Sequence, residues 1–137
     1  MAVSCSRISF CWQTVVAEVK TLPAFSRIGY DWTETVEQKT KIAVLPVGYW
    51  HGYDRSLSGQ GYAIIKGTKV RVLGRVSMDM IVVDVSAIPE IKVGAIATLI
   101  GQDGSVEVKA TELGKLAGTS NYEIVTRLNH LIKRLYK

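Results

Sequence analysis

Three short glycine-punctuated clusters hold the residues of this chain that are equipped for chemistry. The largest is Gly48-Tyr49-Trp50-His51-Gly52-Tyr53-Asp54-Arg55, which sets two phenols, an imidazole and a guanidinium between backbone positions free to turn tightly. A second, Gly74-Arg75-Val76-Ser77-Met78-Asp79-Met80, places Arg75, Ser77 and Asp79 at alternate positions. On a strand those three would share one face. The third is Gly29-Tyr30-Asp31-Trp32-Thr33. A tyrosine hydroxyl can donate or accept a proton, but a phenol titrates near about pH 10, so it needs assistance to act as a base near neutrality. Taken singly, each cluster also reads as a polar loop, a hydrated strand face or a half-buried aromatic.

Other chemistries are missing. There is no nucleophile elbow of the form Gly-x-Ser-x-Gly, no Walker phosphate loop and no Gly-x-Gly-x-x-Gly. Cys5, Cys11, His51 and His130 are too few and too scattered for a zinc site built without carboxylates. The expectation for the two cysteines is a pair of reduced structural thiols in a cytosolic protein.

The elements that must carry the clusters are mostly strands. Arg7 to Lys20 alternates apolar residues at Ile8, Phe10 and Trp12, and Ile42 to Val47 reads as a buried strand with a bend at Pro46. Tyr62–Ile65 and Lys69–Leu73 flank Lys66-Gly67-Thr68, a hairpin loop. Val76 to Val85 reads as one long strand, and Ile96 to Ile100 leads through an Asp103-Gly104 turn to Val106–Val108. Near the end the period changes. Thr111 to Ala117 is helical with Gly118 as its C-cap, and Ser120 or Asn121 caps a second helix bearing Ile124, Val125 and Leu128 on one face. Short strands at this spacing predict a mainly β fold: a closed, Greek-key-like β-barrel with one or two short helices near the C-terminus.

At 137 residues the chain is one domain long, too short to complete a (β/α)₈ barrel of about 250 residues. Apolar residues make up 47% and charged residues 21%, the composition of a globular protein rather than a disordered one. No apolar run approaches the roughly 20 residues of a membrane span, and the first residues lack the apolar core of a secretory signal. A cytoplasmic location is expected. The net charge of +5 favours anions, but the basic residues are scattered apart from the tail around Lys133, Arg134 and Lys137, and no nucleic-acid-binding module accompanies them. Neither nucleic acid nor membrane is an expected partner.

In order, the clusters are far more specific than any of them alone. Val19-Lys20-Thr21-Leu22, Ile28-Gly29-Tyr30, Leu45-Pro46-Val47-Gly48-Tyr49-Trp50-His51-Gly52-Tyr53-Asp54-Arg55, Val72-Leu73-Gly74-Arg75-Val76-Ser77-Met78-Asp79 and Gly118-Thr119-Ser120-Asn121-Tyr122-Glu123-Ile124 form a series that resembles the carboxy-terminal domain of bacterial alanine racemase, over about Ile8 to Tyr136. The resemblance implies that residues 1–137 are this domain, and that a (β/α)₈ barrel holding pyridoxal 5′-phosphate through a lysine belongs to the enzyme but not to this chain. It further implies a head-to-tail homodimer, each active site joining one chain's barrel to the other's β domain, with a small amino acid, alanine, as substrate.

By position, Tyr30 would be the catalytic base on one face of the substrate. Met78 would offer its backbone N–H to the substrate carboxylate, a role that asks for strand geometry, and Tyr49 would line the substrate entrance with Arg75 and Asp79 nearby. Tyr122, with the backbone around Ser120, would reach the cofactor phosphate in its own chain's barrel. No metal is implied, and the isolated chain is expected to be inactive.

The sequence departs from the family pattern in places. Trp50-His51-Gly52 stands where Ala-Asp-Gly is usual, Ser77 where cysteine is common, and Gly29 and Asp31 flank Tyr30 in place of serine and glycine. Leu131-Ile132-Lys133-Arg134 replaces a pattern richer in proline. Two alternatives follow: a racemase of another small amino acid such as serine, or a free-standing, non-catalytic β-barrel binding module.

Overall fold

A computed structural model describes residues 10–29 and 32–136 of the chain. Tyr30 and Asp31 lie outside the described residues. Seven strands pair in the order β1 (Trp12–Val15), β9 (Ile96–Asp103), β6 (Tyr62–Ile65), β7 (Thr68–Leu73), β8 (Ile81–Asp84), β5 (Thr40–Leu45) and β2 (Glu18–Leu22), with β10 (Val106–Val108) added to β9. Every pairing is antiparallel. Strands β6, β7 and β8 follow one another as neighbours, and β5 returns beside β8, which is the Greek-key arrangement expected from the sequence.

Turn chemistry fixes the registers. Ile65 pairs with Thr68 across a two-residue loop in which Lys66 and Gly67 have φ of 49° and 70°. Two successive left-handed residues match the twist of a hairpin. Asp103 pairs with Val106 across Gly104-Ser105, with Gly104 at φ 63°.

The main core fills the space inside the curled sheet. Ala43, Leu45, Ile64, Val72, Val83 and Leu99 are buried there, with Trp12, Tyr53 and Leu57 packed among them. Tyr53 is a core residue, its ring 6.2 Å from that of Trp12. Burial pushes its phenol well above the usual range, and a 3.5 Å bond from its hydroxyl to the Tyr62 carbonyl offsets only part of that. A second, smaller cluster of Ile28, Val36, Ile42 and Leu73 lies on the opposite face of β5 and β7, since Ile42 and Leu73 alternate with Ala43 and Val72. It packs under the finger formed by β3 (Arg27–Ile28) and β4 (Glu34–Thr35).

Three expectations need correction. First, the strand ladder is open: among the described residues no pairing joins β1 to β2. The chain itself spans that gap, because Val16 donates to Ala95 before β9 (2.8 Å) and Ala17 donates to Val44 on β5 (2.9 Å). The bend at Val16-Ala17 thus links the two terminal strands of the ladder through the chain instead of through a strand pairing.

Second, residues 76–80 are not strand. Ser77 closes a turn on Met80, donating from its amide (3.1 Å) and its hydroxyl (2.8 Å) to the Met80 carbonyl. Gly74, at φ 70°, redirects the chain first, so Arg75, Ser77 and Asp79 do not line a pleated face. Third, Cys11 is disulfide-bonded rather than a reduced thiol.

Helix α1 (Ala110–Ala117) ends at left-handed Gly118 (φ 72°), as its sequence predicts. Helix α2 (Asn121–Thr126) starts at Ser120, whose hydroxyl accepts from the Glu123 amide. It stops at Thr126 because Asn129 is drawn elsewhere: its amide donates to the His51 carbonyl (3.1 Å), its side chain donates to the Trp50 carbonyl (2.9 Å), and its Oδ1 accepts from Leu131 (2.8 Å). Among the described residues no helix is long and apolar enough to cross a membrane.

Candidate functional site

Sheet topology delivers two of the three clusters to one place. Leu45 pairs with Ile81 and Leu73 pairs with Val82, so the β5–β6 connection (residues 46–61) and the β7–β8 connection (74–80) leave the same end of the sheet. Glycines then let their backbones touch. A Cβ on Gly48 would lie 2.2 Å from the Ser77 carbonyl oxygen and 2.6 Å from that of Met78, and the Tyr49 and Trp50 amides donate to those two carbonyls at 3.0 and 2.9 Å.

The third cluster arrives by a different route. The finger begins at the far end of β5, where Leu22 pairs with Thr40, and lies back along the outer face of the sheet. Gly29 (φ 86°) there meets Gly74 (φ 70°), and a Cβ on Gly29 would be 2.8 Å from the Arg75 nitrogen. Glu34 pins this contact. Its Oε1 pairs with Arg71 at 2.5 Å and its Oε2 accepts a short hydrogen bond from the Gly74 amide. Gly29 immediately precedes Tyr30, so the anchored finger carries that residue in sequence, although Tyr30 itself lies outside the described residues.

The loop after β5 is itself anchored. Gly48 donates to Nδ1 of His51 at 3.0 Å, closing a 3₁₀ turn over Tyr49–His51, and Gly52 at φ 107° ends it. Asp54 caps the next 3₁₀ turn, Arg55–Leu57, accepting from the Ser56 amide (2.9 Å) and hydroxyl (2.6 Å) and from Arg127 (2.7 Å). Burial alone raises its carboxyl pKa, but the Ser56 hydrogen bonds and the Arg127 charge outweigh it and hold the group below the usual carboxylate range. Arg127 and Asn129 thereby tie the segment after α2 to the loop that bears Tyr49.

This end of the sheet exposes aromatic and apolar side chains. Tyr49 is 45% exposed with the Arg55 guanidinium 5.8 Å from its ring centre, and Met78 is 53% exposed. The Met78 amide donates to no acceptor among the described residues, while the carbonyls of Ser77 and Met78 accept from Tyr49 and Trp50. Arg75 and Asp79 are exposed on the same connection. Tyr122 is 74% exposed and sits on a different element, in the first turn of α2.

Thus Tyr49, Arg75, Met78 and Asp79 come together and Tyr122 stands apart. Sequence reasoning missed Glu34, Asn129 and the Arg55–Tyr49 stacking. Glu34 and Asn129 act through partners 40 and 78 to 79 positions away and leave no local signal.

Neither of two surface depressions of the described residues falls at this face. One is lined by Phe10, Ile100, Val108 and Val125 and the other by Tyr62, Glu112 and Leu116, and they contain none of the candidate residues. Among the described residues no group of three or more His, Cys, Asp or Glu could hold a metal.

Comparison with known proteins identifies the family. The family model described as "Alanine racemase, C-terminal domain" matches residues 9–136. Alanine racemase of Halothermothrix orenii is 42% identical over 126 residues, 92% of this chain and 33% of that protein. Alanine racemase of Leptospira interrogans is 41% identical over 124 residues, 90% of this chain and 32% of that protein. The chain therefore spans about a third of the length of these relatives. Among solved structures, alanine racemase from Oenococcus oeni superposes with a TM-score of 0.85 at 28% identity over 91% of this chain and 34% of that one. Alanine racemase from Bacillus anthracis with bound L-Ala-P does so at 0.82 and 33% identity over 87% of this chain and 30% of that one. These relationships do not favour a free-standing binding module. The fold, the ordered glycine clusters and the match over residues 9–136 agree, and the chain belongs to the alanine racemase C-terminal domain family.

Proposed function

We propose that this chain is the part of a pyridoxal-phosphate-dependent alanine racemase that supplies one wall of the active site, in an enzyme interconverting L- and D-alanine for peptidoglycan. The observation that carries the reading is the junction of Gly48 with Ser77 and Met78. It leaves an unaccepted amide and an exposed tyrosine side by side at the rim of a rigid sheet. The remaining two thirds of the enzyme would be a (β/α)₈ barrel, and two copies would pair head to tail so that this wall closes the partner's barrel. The cytoplasmic location expected from the sequence belongs to the same reading.

When bound in the barrel, the cofactor draws electrons from the substrate α-carbon and makes its proton removable. This chain's residues do the rest. The Tyr30 hydroxyl would take or return that proton on one face, its charged form stabilised by a histidine supplied from the barrel. The Met78 N–H donates to the substrate carboxylate, a turn amide doing what a strand amide was expected to do. Tyr49, held by its amide and stacked with Arg55, limits the size of the entrance, while Arg75 and Asp79 set its charge. Tyr122 would help hold the cofactor phosphate in its own chain's barrel.

Because one wall cannot hold the cofactor, purified 137-residue chain is expected to show neither cofactor absorbance after incubation with pyridoxal phosphate and dialysis nor racemisation of L-alanine. Detection of both in the chain alone would overturn the proposal.

A further inference from the structure

We infer that His51 is a positioning residue, its unprotonated Nδ1 holding the Met78 peptide in the orientation that the carboxylate contact requires; this rests on the racemase reading of Met78. A backbone N–H can only donate, so the 3.0 Å contact from Gly48 makes Nδ1 the acceptor and places the ring proton on Nε2. That bond and the one from the His51 amide to the Gly48 carbonyl (3.0 Å) close the same turn from both sides. Within the turn sit Tyr49 and Trp50, whose amides grip Ser77 and Met78. Imidazole lone pair, turn and carbonyl acceptors form one chain of contacts ending at the Met78 peptide.

The ring itself is immobilised. The Trp50 indole meets it edge-on at 4.9 Å and 79°, and the His51 carbonyl is held by Asn129. An acid at this position, as in the sequence pattern the chain resembles, would present the same acceptor from a shorter side chain. Histidine does so only through a bare Nδ1, and the bulk of Trp50 beside it keeps that nitrogen aimed at Gly48.

The test has two parts. Nitrogen NMR of the 137-residue chain near neutral pH is expected to show His51 with Nδ1 unprotonated and accepting and Nε2 protonated; a protonated Nδ1 overturns the inference. In the full-length enzyme, losing this acceptor is expected to raise KM for alanine about tenfold while kcat changes by less than about threefold, the range of one buried hydrogen-bond partner removed. His51→Ala should show this, and His51→Asp and His51→Asn should restore KM. An unchanged KM in His51→Ala, or no rescue by either acceptor, overturns it. Should His51→Ala fail to fold, the Asp and Asn variants decide alone: both must keep wild-type KM. Wild-type enzyme without racemase turnover would instead overturn the reading of Met78, while the nitrogen spectrum still reports the acceptor role separately.

Discussion

Tyr30→Phe in a full-length enzyme carrying this domain is expected to slow racemisation about 10²- to 10⁴-fold, the range contributed by a positioned general base. The loss should be one-sided. Racemisation needs one base on each face of the α-carbon, and the tyrosine and the cofactor lysine would serve opposite faces. Removing one hydroxyl disables proton removal from one enantiomer only. Exchange of the α-proton with solvent, followed by NMR, should therefore fall steeply starting from L-alanine and far less starting from D-alanine. A phenol is a weak base at neutral pH, so Tyr30 needs a partner to lower the cost of its charged form. In the racemase reading that partner lies on the barrel. Equal losses from both enantiomers would remove Tyr30 from the role.

Gly48→Ala is expected to be strongly destabilising. Its φ of −151° is ordinary extended backbone, so conformational strain is not the reason. Space is. The new Cβ would sit 2.2 Å from the Ser77 carbonyl oxygen and 2.6 Å from the Met78 carbonyl carbon, and both neighbours are backbone. Relief requires the two connections to separate, which breaks the Tyr49–Ser77 and Trp50–Met78 hydrogen bonds together. The expected cost is about 3 kcal/mol, the upper part of the usual range for overpacking. Gly67→Ala is the control. Gly67 has φ 70°, and a methyl added there would meet nothing within 4 Å, so that change should cost about 1 kcal/mol, from left-handed strain alone. Urea denaturation of the 137-residue chain measures both, and equal costs would mean that the junction is not tightly packed.

How much was legible in the residues beforehand depended on how local each signal was. Lys66-Gly67 and Asp103-Gly104 announce their hairpins because left-handed turn residues act within four positions. Gly118 and Ser120 mark helix ends for the same reason. The stretch Val76–Val85 misled because Arg75, Ser77 and Asp79 alternate like a strand. The hydroxyl of Ser77 instead bonds back to Met80, a local competition that periodicity cannot register.

The end of α2 leaves no local mark, since what stops it is Asn129 reaching His51 and Trp50, residues earlier by 78 and 79 positions. The open ladder has a similar origin. It depends on one bend at Val16-Ala17 dividing its hydrogen bonds between two strands. The candidate site was readable as three clusters, but not the means of joining them. Glu34, which fastens the finger to Gly74, sits in the sequence as an ordinary surface acid.

Complementation tests the central claim, that this domain is one wall of a racemase site whose other wall lies on a barrel. A separately produced alanine racemase barrel, loaded with pyridoxal phosphate, is mixed with increasing amounts of this chain, and conversion of L- to D-alanine is followed. Turnover should rise with added chain and saturate, and a Tyr30→Phe chain should fail to raise it. Turnover that stays at the level of the barrel alone at every concentration of chain would contradict the account.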